Sequence, residues 1–151
     1  MSHSFNKIWI HAVWSTKDWK HLILPKVEQE IHRLIRIQLI ELGCFVNSIN
    51  GMPDHVHCLF QLNPQKSIAE VIKQMKGSTS HTINQKELTT ERFAWQTGYG
   101  AFSVSESGID KVREYISNQK EHHIKKTFRE EYEGFLRLHG LNNNDLNSKN
   151  G

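Results

Sequence analysis

His55 and His57 are separated by one residue, Val56. In an extended segment the period of two puts both imidazoles on one face, while Val56, Cys58, Phe60 and Leu62 point the other way, into a core. Two neutral imidazoles so placed can share one divalent transition metal, and the apolar residues between and after them anchor the strand that aims them. Taken alone, a His-x-His pair is more often an ordinary surface feature of a strand. A second group changes its weight. Tyr115 and Gln119 are four residues apart, so on a helix they lie one turn from each other, at the border of the stripe formed by Ile109, Val112 and Ile116. His122 and His123 continue near that side. A tyrosine beside an apolar stripe usually packs, with its hydroxyl bonded at the edge. A two-histidine strand followed by a helix that presents a phenol and an amide oxygen in register is a candidate phosphodiester-cleaving site.

The elements that must position these groups can be read from periodicity and breakers. Residues 7–15 are β-branched and aromatic, with Ile8, Ile10, Ala12 and Trp14 on one face of a core strand. Pro25 suits a first helical turn, and Val27, Ile31, Leu34, Ile35 and Leu42 recur at helical spacing until Gly43 stops the helix. Cys44 to Ile49 reads as a second strand. Asn50-Gly51 with Pro53-Asp54 supplies turn chemistry, and His55 to Leu62 forms a third strand in a hairpin with the second. Ser67 to Glu70 is a capping box that opens an amphipathic helix running past Gly77 toward Asn84. Residues 85–99 form a loop with Phe93, Trp95 and Tyr99, and Ala101 to Ser105 a fourth strand. A helix begins near Ser107 and carries Tyr115 and Gln119, and another runs from about Phe128 to Leu138. The order predicts an α+β fold, a ferredoxin-like or RRM-like sandwich with helices packed on an antiparallel sheet.

The ordered segments Gly51-Met-Pro-Asp-His55-Val-His57, Lys73 to Ser80, Trp95-Gln-Thr-Gly-Tyr-Gly-Ala-Phe-Ser-Val-Ser105 and Tyr115-Ile-Ser-Asn-Gln119-Lys-Glu-His-His123 resemble the single-tyrosine HUH transposases of the TnpA type, including their REP-associated relatives. The resemblance spans most of the chain. It implies that His55 and His57 are metal ligands, that Gln119 is the third, with His122 or His123 one turn beyond as rival donors, and that Tyr115 is the nucleophile. It further implies a divalent cofactor, Mg²⁺ or Mn²⁺, a single-stranded DNA substrate with a hairpin near each element end, a 5′-phosphotyrosine intermediate and a homodimer. Whether Tyr115 serves its own histidine pair or that of a partner stays open. A free phenol has a pKa near 10, so about one in a thousand is ionised at pH 7 and the site must activate it.

For DNA contact, Lys73 and Lys76 with Ser78 and Ser80 are candidate phosphate partners, and Trp95 or Tyr99 candidates for stacking on unpaired bases. Lysines on a helix are more often a solvated face, and these aromatics more often packing. The formal charge of +3 permits a nucleic-acid partner without arguing for one unaided. The 151 residues suit one domain, with residues 1–140 as the catalytic unit and the asparagine-rich 141–151 as a disordered polar tail. The apolar runs fall short of a membrane span, and the N-terminus lacks a secretory leader, so the expectation is a soluble cytoplasmic protein. Cys44 and Cys58 lack CxxC spacing and sit in apolar stretches, as buried free thiols do. Competing readings are a domesticated or non-catalytic module that binds single strands on an RRM-like sheet, a relaxase-type nickase and a hydrolase that activates water.

Overall fold

The structure is a computed structural model that describes residues 4–121 and 128–138. In chain order its elements are β1 (Trp9–Ser15), α1 (Pro25–Glu41), β2 (Phe45–Met52), β3 (His55–Gln61), α2 (Ile68–Gln85), β4 (Gly100–Val104), α3 (Ile109–Ser117) and α4 (Phe128–Leu138). The strands form one sheet in the order β2-β3-β1-β4, every neighbouring pair antiparallel. This is the α+β sandwich that the element order predicts.

Both faces of the central strands are covered, so alternation along them separates two packing environments rather than core from water. On the first face, Ile10, Ala12 and Trp14 of β1 and Val56, Cys58 and Phe60 of β3 meet Ile31, Ile35 and Leu39 of α1 and Val71, Ile72 and Met75 of α2. Both cysteines are buried free thiols. On the second face, Trp9 and Leu59 receive Ile109 and Ile116 of α3, with Val112 and Tyr115 packed alongside. Burial of each such aliphatic side chain is worth roughly 1.5–3 kcal/mol, enough for these two to seat a short helix.

Local chemistry explains where the helices begin and end. Pro25 occupies the first turn of α1, and Gly43 follows its end at φ 82°, a left-handed conformation that glycine adopts without steric cost. Ser67 caps α2 by accepting the Glu70 N–H at 3.1 Å. Among the described residues no helix is long and apolar enough to cross a membrane.

Two local expectations change. Asn50 and Gly51 lie in strand β2 rather than in the turn, opposite His57 and Val56, which leaves Pro53 and Asp54 as the connection to β3. The reason is at Gly51, where a β-carbon would stand 2.1 Å from the His55 carbonyl oxygen. The missing side chain lets the two strands close there. The tyrosine helix also does not run unbroken to Gln119: α3 ends at Ser117, Asn118 takes φ −96° and ψ 16°, and helical structure resumes at Gln119. The proposed tail 141–151 and His122 and His123 lie outside the described residues.

Candidate active site between the sheet and the tyrosine helix

The alternation of β3 aims His55 and His57 at the second face, beneath α3 and α4. Both are buried, at 0% and 2% exposure. Each ring is held on both sides. His55 Nδ1 lies 2.8 Å from Asp54 Oδ1, and its Nε2 lies 3.3 Å from Gln119 Oε1. His57 Nδ1 lies 2.9 Å from Nε2 of His11 on β1, and its Nε2 lies 3.3 Å from Glu131 Oε1. Glu131 Oε2 is 3.7 Å from His55 Nε2, so the carboxylate of α4 spans the two imidazoles.

Tyr115 stands over this group. Its ring centroid is 5.6 Å from that of His57, and its hydroxyl donates to Glu131 Oε1. Gln119, fully buried, donates from Nε2 to the same Glu131 oxygen at 3.0 Å. The structure therefore brings His55, His57, Tyr115 and Gln119 together around the carboxylate of Glu131.

The electrostatics follow from that carboxylate. Burial, then the hydrogen bond and negative charge of Glu131, raise the Tyr115 phenol well above its ordinary value. For Glu131, burial pulls upward but is outweighed by His57 and by the hydrogen bonds from Tyr115 and Gln119, which hold its carboxyl well below the usual range. Asp54 is lowered as well: burial opposes, and the hydrogen bond and charge of His55 prevail.

Donor atoms of His55, His57 and Glu131 lie within 4.8 Å of one another. With the Gln119 amide oxygen beside them, the set is two imidazole nitrogens, a carboxylate and a carbonyl-type oxygen. Such mixed nitrogen and oxygen donors suit Mn²⁺ and other divalent ions of intermediate hardness, and accommodate Mg²⁺. The residues fit a divalent cation.

Two contributors escaped the sequence reading. Glu131 falls three residues after Phe128 and four before Phe135, so its place on an apolar helical stripe was the available signal. His11 shares a strand face with Trp9 and Val13, opposite the Ile8, Ile10, Ala12 and Trp14 face that periodicity marks as core.

The DNA-contact candidates lie elsewhere. Lys73, Lys76 and Ser80 of α2 line a cleft of about 880 Å³ against residues 92–99. Because α2 packs on the first face, this cleft is on the other side of the sheet from the histidine pair. Lys73 is exposed, whereas Lys76 is half-buried, donates to the Gln96 carbonyl at 2.9 Å and to that of Gly98, and is lowered by burial to about 8. Trp95 packs edge-on to Phe93 at 4.6 Å and donates to Thr79 at 3.0 Å, and Tyr99 remains 40% exposed with the Lys76 ammonium 5.8 Å from its ring centre.

Fold and cluster together define an α+β sandwich with a histidine, carboxylate and phenol group between sheet and helix. Residues 4–119 match the family model described as transposase IS200 like, and the chain belongs to that family. It is 26% identical over 114 residues to the ISDra2 transposase TnpA of Deinococcus radiodurans, covering 72% of this chain and 81% of that protein. Among solved structures it resembles a putative transposase from Deinococcus radiodurans R1, with a TM-score of 0.62, 23% identity and coverage of 79% of this chain and 95% of that one. It also resembles a REP-associated tyrosine transposase bound to a REP hairpin, with a TM-score of 0.59, 15% identity and coverage of 82% and 74%.

Proposed function

We propose that this protein is a single-tyrosine transposase that cleaves and rejoins single-stranded DNA, with Tyr115 as nucleophile and residues 1–140 as its catalytic domain. The observation that carries the reading is the convergence of the Tyr115 hydroxyl, the Nε2 atoms of His55 and His57, and Gln119 on one buried point. His55, His57, Glu131 and Gln119 would hold a divalent cation, Mg²⁺ or Mn²⁺. When bound, the cation supplies positive charge that offsets the charge developing on the phosphoryl oxygens and eases ionisation of the phenol.

The chain's own residues do the rest. In the resting site Glu131 keeps Tyr115 a phenol and fixes where its oxygen points. Once the phenol has given its proton to solvent, that oxygen attacks the scissile phosphorus in line; an O–P bond forms, the bond to the 3′-oxygen breaks, and the departing oxygen takes a proton from solvent, leaving a 5′-phosphotyrosine and a 3′-hydroxyl. Attack by another strand's 3′-hydroxyl on the phosphotyrosine reverses the exchange and releases the phenol. One ester is traded for another, so no nucleotide cofactor is needed.

Tyr115 lies against the histidine pair of its own chain, which supports action in cis within a proposed homodimer. The substrate we assign is single-stranded DNA carrying a hairpin, in line with the relative bound to a REP hairpin. Lys73 is the exposed candidate for phosphate contact, while Lys76 spends its donors on the 96–98 backbone and joins only if those bonds open. A non-catalytic module binding strands on an open RRM-like sheet fits less well, because Ile109 and Ile116 cover the face such a sheet would offer.

The test is to incubate the protein with Mg²⁺ or Mn²⁺ and labelled hairpin DNA from the flanks of its own gene, then separate products under denaturing conditions. A metal-dependent covalent adduct, lost in Tyr115→Phe and His57→Ala, is the expected result. Tight hairpin binding by wild type without an adduct would leave a binding module, and cleavage that persists in Tyr115→Phe would mean that water is the nucleophile.

A further inference from the structure

A metal-ligating imidazole must present a lone pair, and a neutral imidazole has only one to give, because its other nitrogen carries the proton. On β3 the nitrogens that face Glu131 and Gln119 are the Nε2 atoms, so in a metal-bound site both protons must sit on Nδ1. His55 has a simple partner for that proton. Its Nδ1 is 2.8 Å from the Asp54 carboxylate, a group that accepts.

His57 has a different one. Its Nδ1 is 2.9 Å from His11 Nε2, the two rings 5.1 Å apart and inclined at 42°. His11 pairs with Leu59 across the β1–β3 ladder, which makes it the diagonal neighbour of His57 on the same sheet face. It is 1% exposed. Burying an imidazole among Trp9, Leu59 and Tyr115 is less favourable than burying a hydrocarbon unless its polar atoms are used. The mechanism above makes no use of it.

We infer that His11 is a positioning residue: its Nε2 lone pair accepts the His57 Nδ1–H, which holds His57 in the tautomer and orientation that leave Nε2 to bind the cation. The hydrogen bond has two possible directions with opposite consequences. With the proton of His11 on Nδ1, its Nε2 accepts and His57 Nε2 is open. With that proton on Nε2, His11 donates, neutral His57 must carry its own proton on Nε2, and the ligand position closes. The inference rests on the metal-site reading, and it extends the ligand set to the residue that orients it, as partners of metal-bound histidines do elsewhere.

Two measurements on the full-length protein decide it. Mn²⁺ affinity, read by electron paramagnetic resonance, is expected to fall about 10–100-fold in His11→Phe and to recover to within a few-fold in His11→Gln, whose amide oxygen can accept. Nitrogen-15 NMR of histidine-labelled, Mg²⁺-loaded protein is expected to find His11 protonated on Nδ1 with a bare, hydrogen-bonded Nε2. A folded His11→Phe that binds Mn²⁺ within about twofold of wild type, against the effect expected of a ligand's partner, would overturn the inference. So would protonation of His11 Nε2 in the loaded protein, a reading that needs no variant to fold. Wild type that binds no Mn²⁺, or that binds it equally well after His57→Ala, would instead sink the metal-site reading and this inference with it.

Discussion

Tyr115 and Glu131 share one hydrogen bond, which keeps the phenol protonated and favours the ionised carboxylate. The phenol is raised by burial and then by its acidic partner, while the carboxyl is held down by His57, Tyr115 and Gln119 against the pull of burial. A resting nucleophile is thereby kept protonated by the same group that would help to hold the cation. Glu131→Gln removes the negative charge but keeps the shape. The Tyr115 pKa is expected to fall toward 10 without reaching it, because burial remains, and carbon-13 NMR of labelled tyrosine would follow it. Mn²⁺ affinity in the same variant should drop by at least tenfold, ~1.4 kcal/mol. An unchanged phenol titration would mean that Glu131 is not its partner in solution. Glu131 itself was readable only as a polar residue on an apolar stripe, a pattern that many solvated helices share.

At the scale of elements, the β2–β3 hairpin sets the geometry of the site from both ends. Its short Pro53-Asp54 connection places the Asp54 carboxylate beside His55, and its closure depends on Gly51, whose added β-carbon would also come within 3.0 Å of Val56 Cα. The same tip holds the tyrosine helix. Asn50 Nδ2 donates to the Ile116 and Ser117 carbonyls at 2.9 and 3.3 Å, satisfying groups that a helix end leaves without partners. Lys120 adds bonds to Glu28 at 2.6 Å and to the Gly51 carbonyl. Gly51→Ala is therefore expected to cost about 2–4 kcal/mol in urea unfolding and to lower Mn²⁺ affinity with it. A loss under about 0.5 kcal/mol, typical of an unconstrained surface site, would show that the strands do not approach as described. Periodicity identified both strands, yet Asn50-Gly51 read as a turn, because that pair favours turns locally and only the close approach of the paired backbones at Gly51 draws it into β2.

Across the whole molecule, a sheet buried on both faces puts titratable groups into apolar surroundings away from the reaction. His32 on α1 is lowered to about 4 from an ordinary 6.5, chiefly by burial, with Glu28 pulling the other way and Lys120 and Arg36 adding to the decrease. Its folded value lies below its unfolded one. The unfolded chain thus takes up the proton first, and stability falls as pH drops from about 6.5 toward 4. Between neutral pH and about pH 4.5 the loss from this residue is on the order of 2 kcal/mol. His32→Phe should flatten that part of the stability profile in urea titrations, and a profile parallel to wild type would rule His32 out as its source.

What the sequence determined by itself was what local spacing carries: the order and type of the strands and helices, the sandwich that order implies, and the shared face of His55 and His57, whereas the helix expected to join Tyr115 to Gln119 is interrupted at Asn118. Local geometry constrains those relations because strand pleat and helix pitch repeat over a few residues. What only the tertiary structure decided was which distant groups meet. His11 reaches His57 because of the β1–β3 register, and Glu131 reaches both imidazoles because α4 docks on the second face of the sheet. Neither contact is encoded in a spacing. Each arises where separately patterned elements pack against the two faces of the sheet, and that packing is set by residues far apart in sequence.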